Sequence, residues 1–350
     1  MKTKYLVLVA IVIGLIACEN QEFEFDDFGT TAVYFPFQTP VRKLILGDYE
    51  LGFNDNDNAG RFVMGVTMSG VYSNDTDRRV FFEVAPELID PVSLGVSSVN
   101  VQVLPPSYYT LEQESPLTIP AGSIKGRIPV QLNDAFFEDT LSFAPNNEVN
   151  YVIPLRITDF DGLDSLLVGV VAGGVANPRK IVDSDWEVLP KDYTLYGIKF
   201  MNEFEGVYLR RGVDILTNDA GETISTVYRD EFVVRDETVK VTTTGRNSVE
   251  LSNIVRRDSL SSPGEVNFEV LFMDNNTGTV TSFGDHAYDV SGSAMWAEDQ
   301  EEWGGQSRNA IYLNYQYTDT VNNESHTVRD TLVMRNRDVT FEEFDVEIDN

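Results

Sequence analysis

The sequence predicts an all-β protein in which a β-sandwich domain is followed by a β-barrel domain. Short runs of β-branched and aromatic residues recur along the chain and are separated by segments rich in Asn, Asp, Gly and Pro. Long stretches with helical periodicity are absent from the sequence, and only residues 134–139 resemble a helical turn. The length of 350 residues fits two or at most three domains.

The expected sandwich covers residues 30–175. Turn-rich segments such as residues 54–58 and 105–107 interrupt it at regular intervals. Evenly spaced short strands with such turns are typical of a β-sandwich. The strand-like runs cover residues 31–37, 61–66, 79–85, 99–104, 126–132 and 151–158.

A linker is expected over residues 176–192, next to Gly173, Gly174 and the Asn177-Pro178 pair, and the second domain over residues 193–350. About eight runs with hairpin-length gaps fit either a closed up-and-down barrel or a second sandwich. The barrel is favoured because closure removes exposed strand edges. The runs cover residues 194–200, 206–216, 231–243, 248–253, 266–273, 285–292, 310–317 and 327–336.

The first 17 residues predict a signal peptide. Lys2 and Lys4 precede an apolar run that ends at Ile16, and Cys18 follows where a lipoprotein signal requires it. A spanning helix needs roughly 20 apolar residues, so a transmembrane anchor is disfavoured, as is a plain signal peptide with a coincidental cysteine. We therefore expect a lipidated Cys18, an acidic tether over residues 18–29, and membrane attachment through the lipid alone.

Charge and cysteine content exclude some classes of partner and some sources of stability. The chain has 26 basic and 56 acidic residues, a net charge of −30, which disfavours a nucleic-acid partner. The same charge could favour divalent cations. Cys18 is the single cysteine, so no intrachain disulfide can form.

The sequence does not predict an enzyme, a cofactor or a metal site. The two histidines, His286 and His326, lack the spacing to further ligands that zinc sites show. Nucleophile motifs and phosphate-binding glycine loops are missing. Residues 159–164 could place three carboxylates around Ca²⁺, but an acidic turn between strands is the favoured interpretation. A glycoside hydrolase remains an alternative, with Glu301 or Glu302 as the catalytic carboxylate.

Aromatic and planar polar residues between positions 288 and 317 suggest a sugar-binding surface. Sugars stack their C–H faces on aromatic rings while carboxylates, amides and guanidinium groups bind the hydroxyls. The competing interpretation packs some of these aromatic residues into strand faces and makes Arg308 a structural ion pair. The candidate glycan-binding residues are Tyr288, Trp296, Glu301, Trp303, Gln306 and Arg308.

Four segments of the first half carry a family resemblance. Residues 33–42, 70–74, 108–111 and 119–123 resemble an N-terminal domain of unknown function found in Bacteroidota surface lipoproteins. The same family of domains precedes the catalytic barrel in some endo-β-N-acetylglucosaminidases. The resemblance covers residues 30–171 and implies an immunoglobulin-like sandwich that is not itself the enzyme.

The second half is similar to lipocalin-like C-terminal domains that accompany this sandwich, over residues 287–293, 303–308, 311–315 and 330–335. Proteins with both domains usually belong to glycan-utilisation systems beside an outer-membrane importer. The acidic residues after Cys18 also resemble the signal for export to the outer face of the outer membrane. The resemblance thus implies a lipid-anchored glycan-binding protein on the cell exterior. A structural or adhesive subunit of an outer-membrane assembly is the alternative.

Overall fold

The computed structural model describes residues 29–252, 266–284, 288–319 and 322–349. The sandwich contains two main sheets, and its strands alternate buried and exposed positions, as in β3 and β9. The strands before the linker are β1 (Ala32–Tyr34), β2 (Val41–Ile45), β3 (Arg61–Ser69), β4 (Arg78–Val84), β5 (Ser98–Val99), β6 (Gln102–Val103), β7 (Tyr109–Leu111), β8 (Leu117–Ile119), β9 (Lys125–Leu132), β10 (Tyr151–Asp161), β11 (Ser165–Leu166) and β12 (Val170–Val171).

The remaining strands include long ones in the barrel. They are β13 (Trp186–Val188), β14 (Tyr193–Met201), β15 (Gly206–Asn218), β16 (Thr223–Tyr228), β17 (Glu237–Thr243), β18 (Ser248–Leu251), β19 (Phe268–Phe272), β20 (Thr277–Ser282), β21 (Val290–Trp303), β22 (Gln306–Asp319), β23 (Glu324–Asn336) and β24 (Ile348–Asp349). Short helices lie in the sandwich half at α1 (Asp55–Asn58), α2 (Pro91–Leu94) and α3 (Asp134–Glu138).

The two sandwich sheets enclose the first hydrophobic core. One sheet has the order β11-β1-β3-β9-β7, and the other has the order β2-β14-β10-β4-β8, with β6 parallel to β10. Inward residues of both sheets, such as Met64, Ile128, Ile153 and Phe200, are almost fully buried. The predicted β-sandwich is therefore present.

The second sheet is also covered on its outer face. A further cluster there includes Val152, Leu195 and Phe344, which joins it from the C-terminal segment. Strand β24 of that segment pairs with β5. Because both of its faces are buried, β14 has a nearly continuous run of buried residues.

Strand β14 corrects the expected division of the chain, which began the barrel domain at residue 193. The strand lies inside the sandwich, antiparallel to β10 and parallel to β2. The segment after residue 337 also returns to the sandwich, where Glu343 forms an isolated bridge with Pro40. Local patterning predicted that 194–200 forms a strand, but the choice of pairing partner depends on residues far away in the sequence.

The second half forms the expected closed barrel. Eight strands follow the order β15-β17-β18-β19-β20-β21-β22-β23, and β23 pairs with β15 to close the ring. Strand β15 is long enough to pair with β17 through its first half and with β16 through its second half. The all-β fold class, with a C-terminal barrel, is confirmed. In the described ranges, no helix is long and apolar enough to cross a membrane.

Arg337 joins the barrel to the sandwich at the end of β23. Its Nη1 donates to the carbonyl oxygens of Leu46 (3.1 Å) and Asp48 (3.0 Å), and its Nη2 donates to that of Asn202 (2.6 Å). Burial lowers the pKa of Arg337, although nearby acidic groups oppose that shift. The guanidinium group therefore satisfies several carbonyls at the junction of the two domains.

Candidate functional site

Two of the predicted glycan-binding residues lie inside the barrel. Trp296 is 3% exposed, and its ring meets that of Phe204 edge-on, with centroids 5.1 Å apart. Tyr288 is buried as well and packs edge-on against Tyr317. Neither ring presents a face to solvent, so these two residues do not form the exposed stacking surface that the sequence suggested.

Three other predicted residues meet at the end of the barrel that contacts the sandwich. The Arg308 guanidinium lies 4.7 Å from the centroid of the Trp303 ring, and its Nη2 donates to Gln306 Oε1 at 2.8 Å. Its Nη1 donates to both carboxylate oxygens of Glu50, at 2.6 and 2.8 Å. Arg308 thus forms the structural ion pair that was the competing interpretation, and it links the two domains.

Glu301, the sixth predicted residue, fixes the orientation of a neighbouring tyrosine. Its Oε1 accepts a hydrogen bond from the Tyr312 hydroxyl at 2.8 Å. Burial raises the pKa of Tyr312 to about 12, and the hydrogen bond to Glu301 adds to that shift. Glu302 follows directly on β21, and successive strand residues point to opposite faces. Glu301 and Glu302 therefore do not form a glycosidase pair with each other.

The ring of Tyr312 lines a groove of about 510 Å³ on the outer wall of the barrel, which we call the arginine groove. Five adjacent strands form it, in the order β16-β15-β23-β22-β21. Strand alternation turns Arg210 into the barrel and Arg211 out towards the groove. The side chains that line the arginine groove include those of Arg211, Arg229, Met295, Tyr312, Asn314 and Arg329.

The arginine groove is a local cationic region on a chain whose net charge is −30. Arg211 Nε donates to Asp236 Oδ2 at 2.5 Å, so one of the three guanidinium groups is already paired. Arg229 and Arg329 are exposed, and neither forms an ion pair with any residue that the structure describes. These arginines were not among the predicted site residues, because nothing in the local sequence pattern shows that distant outward positions share one wall.

Inside the barrel, Arg210 lies at the centre of a buried polar network. Its Nε donates to Asp330 Oδ2 at 2.9 Å, and its Nη2 lies 3.1 Å from the Tyr315 hydroxyl. The Tyr315 hydroxyl also lies 3.0 Å from Asp330 Oδ2. Gly212 leaves the space for this carboxylate, because a Cβ there would lie 1.9 Å from Asp330 Oδ1. The network fills the interior with side chains, as in other eight-stranded barrels.

A second groove, of about 590 Å³, lies on the sandwich and is lined mainly by apolar residues. We call it the sandwich groove. Phe37 and Phe341 are 46% and 67% exposed there, with ring centroids 5.5 Å apart. Lys125 and Arg127 add positive charge to its lining. Exposed aromatic residues are thus present on this chain, but they lie in the sandwich rather than in the expected barrel segment.

The remaining sequence predictions concern Cys18, the histidines and the acidic segment 159–164. Cys18 and His286 lie outside the described residues. In the acidic segment 159–164, Asp161 forms an ion pair with Arg79, and Asp164 Oδ2 accepts from the Thr31 backbone at 2.7 Å. These carboxylates therefore each have a protein partner.

The fold and both grooves define a two-domain β-protein with surface clefts, and comparisons place it in a family. Residues 203–338 match a family described as a domain of unknown function, DUF5627, and residues 25–164 match a family described as an N-terminal domain. A protein of unknown function from Bacteroides ovatus is 32% identical, with a TM-score of 0.80, over 92% of this chain and 99% of that chain. The chain belongs to the family of that two-domain protein. The predicted combination of N- and C-terminal domains of unknown function is confirmed.

More distant structures share less of the fold. A multidomain protein including DUF1735 from Bacteroides ovatus is 13% identical, over 91% of this chain and 99% of that chain, with a TM-score of 0.42. An auxiliary nutrient binding protein from Bacteroides thetaiotaomicron is 15% identical, over 88% and 95%, with a TM-score of 0.35. At these TM-scores neither likeness supports a statement about this chain. A search of curated proteins finds no match.

Proposed function

We propose that this protein is a lipid-anchored, cell-surface protein that binds an oligosaccharide without cleaving it, and that the arginine groove holds the sugar. The observation that carries the proposal is the convergence of Arg229, Arg329, Asn314 and the fixed ring of Tyr312 on one groove. Its volume of about 510 Å³ lies within the range of small-molecule sites.

The chemistry of the groove suits a sugar that carries acidic groups. Guanidinium forks bind carboxylate or sulfate oxygens in pairs and also bind hydroxyls. Met295 and the Tyr312 ring offer an apolar surface for C–H groups. The hydrogen bond from Tyr312 to Glu301 fixes the ring before the ligand binds. This reduces the side-chain conformational entropy that is lost on binding.

The cellular setting of the proposal rests on the sequence. The basic start, the apolar run and Cys18 support lipid anchoring, and the acidic residues behind Cys18 support exposure at the outer face of the outer membrane. The family resemblance supports action beside an outer-membrane importer. Glu301 and Glu302 do not form a catalytic pair with each other, which favours binding over cleavage by these two residues.

Isothermal titration against a panel of neutral, uronate-containing and sulfated polysaccharides tests the proposal. We expect saturable binding of an acidic glycan. Arg329→Ala should weaken it by about 10-fold or more, since a hydrogen bond to a charged group contributes about 1.5–3 kcal/mol. Tyr312→Ala should also weaken it, because the ring that contacts the C–H groups is lost. Lys240→Ala is the matched control because Lys240 is an exposed cation of β17 outside the groove. Unchanged affinity in both groove variants would show that the sugar binds elsewhere.

The same titrations separate the alternatives. Loss of glycan binding in Phe341→Ala alone would assign the sugar to the sandwich groove. Failure of every glycan to bind would remove the proposal and favour a subunit of a protein assembly, for which the exposed Phe37 and Phe341 rings are the supporting observation. Release of shorter products from a bound polysaccharide would show that the protein is a hydrolase.

A further inference from the structure

The β22–β23 hairpin brings three potential metal ligands together at the barrel end opposite Arg308. Asp319, the last residue of β22, pairs with Glu324, the first residue of β23. His326 lies two residues further along β23, so its side chain points to the same face as that of Glu324. One ligand atom from each of the three residues lies within 4.8 Å of the other two.

His326 is held in the orientation that metal-binding histidines adopt. Its Nδ1 lies 2.8 Å from Asp214 Oδ2, and its ring stacks on that of Tyr317, with centroids 4.4 Å apart and planes 5° apart. Because a carboxylate accepts, Nδ1 carries the proton, and in the neutral imidazole Nε2 carries the lone pair. A carboxylate behind the ring is the common outer partner of a histidine that binds a metal.

The buried Nε2 atom of His326 lacks a hydrogen-bond partner in the described part of the chain, and this points to a ligand. The residue is 2% exposed, yet Nε2 has no hydrogen-bond partner among the residues that the structure describes. The nearest carboxylate oxygen, Glu324 Oε2, is 3.8 Å away, too far for a hydrogen bond. A buried lone pair without a donor is costly, and a cation between the two carboxylates would satisfy it.

We propose that Asp319, Glu324 and His326 bind one Zn²⁺ ion at this end of the barrel. An imidazole nitrogen with carboxylate oxygens is a donor set that zinc accepts, and the two carboxylates balance its charge. Asn322 holds the Asp319 carboxylate from behind, with its backbone N at 3.0 Å from Oδ1 and its Nδ2 at 2.7 Å from Oδ2. Ca²⁺ fits less well, because it prefers six to eight oxygen ligands.

The proposed zinc site is independent of the arginine groove and of glycan binding. It ties the ends of β22 and β23, and Asp214 connects it to β15, the strand that closes the barrel. No zinc site was expected from the sequence, because neither histidine shows a familiar spacing to further ligands. The hairpin register supplies the proximity that spacing did not reveal.

Titration of the full-length protein with ZnCl₂ after chelator treatment and desalting tests the site. We expect one equivalent of Zn²⁺ to bind and to raise the melting temperature, and Co²⁺ substitution to give a visible spectrum. His326→Gln and Glu324→Gln should abolish both effects. Asp214→Asn, which changes a positioning residue, should weaken Zn²⁺ binding by about 10- to 100-fold.

Control variants distinguish the loss of metal ligands from general effects of substitution. Glu302→Gln removes an exposed acid elsewhere on the barrel and should bind Zn²⁺ like the wild type. If His326→Gln does not fold, Glu324→Gln carries the test, since Glu324 is at the rim of the cluster. A wild-type protein that binds no Zn²⁺, or variants that bind it undiminished, would overturn the proposal and leave His326 as a buried ion pair with Asp214. Preference for Ca²⁺ over Zn²⁺ would overturn the assigned ion.

Discussion

Replacing Glu342 with alanine should destabilise the sandwich by about 3 kcal/mol. The Glu342 side chain is 2% exposed, and its carboxylate forms ion pairs with the buried Lys43 and Lys199, the latter at 2.7 Å. The Asn147 backbone N also donates to it at 2.8 Å. Removing one member of a buried ion pair costs about 3–5 kcal/mol, because the remaining charge stays buried without compensation.

The lower end of that range applies because Lys199 keeps other acceptors. Its Nζ donates to the carbonyl oxygens of Pro145 at 2.7 Å and Glu148 at 3.0 Å. Differential scanning calorimetry should show the sandwich transition lowered by about 6–12 °C, at about 2–4 °C per kcal/mol for a domain of this size. Glu343→Ala is the matched control, because the next side chain along is an exposed acid. Equal melting temperatures for the two variants would refute the reasoning.

The stabilising effect of Glu342 should also depend on pH in one direction. Burial alone would raise the pKa of its carboxyl, but hydrogen bonds from Lys199 and Lys43 outweigh burial and lower it below the ordinary value of 4.5. A carboxyl whose folded pKa is lowered stabilises the protein above its unfolded pKa and loses that effect as the pH falls through its folded pKa. The difference between wild type and Glu342→Ala should therefore be full at pH 7 and shrink below about pH 4.5. A constant difference down to strongly acidic pH would contradict this.

Three further substitutions test other parts of the structure. Gly212→Ala should lower the barrel melting temperature strongly, because the new Cβ would lie 1.9 Å from Asp330 Oδ1. Gly173→Ala is the control and should not lower it, because Gly173 has open space around it. Equal melting temperatures for the two variants would contradict the close approach. Arg337→Met should speed proteolysis between the two domains, because it removes donors to three carbonyls there; an unchanged cleavage rate would show that other contacts suffice. Glu301→Gln should lower the pKa of Tyr312 from about 12 towards its ordinary value in an ultraviolet titration, because the carboxylate no longer disfavours the phenolate; an unchanged pKa would leave burial as the whole cause.

The features predicted from sequence are those set by neighbouring residues. Alternation and turn chemistry placed strands near 61–66 and 79–85, where β3 and β4 lie. They also predicted a strand at 194–200, but not that it would join the sandwich. Strand pairing is decided by burial on both faces, which involves residues more than a hundred positions away.

Of the features of the predicted sugar-binding site, the directions of the side chains were the least well predicted from the sequence. Trp296 was predicted to contribute to a sugar-binding surface, which requires an exposed ring. It lies in the β21–β22 hairpin, but alternation along β21 turns it inward beside Ala294. A shift of one residue in strand register would have reversed that direction, and register is set by the whole barrel rather than by the segment.

The filled interior of the barrel determines where a ligand can be recognised. Eight strands enclose a space that side chains can fill, and here Tyr208, Arg210, Tyr315 and Trp296 occupy it. Any large, extended ligand such as a polysaccharide must therefore meet the outer wall or the sandwich. Of these surfaces, the arginine groove combines exposed cations with an oriented aromatic ring, whereas the sandwich groove is mainly apolar. The burial of Trp296 and Tyr288 thus moves the proposed sugar contacts to Arg329 and Tyr312 without removing the barrel from the function.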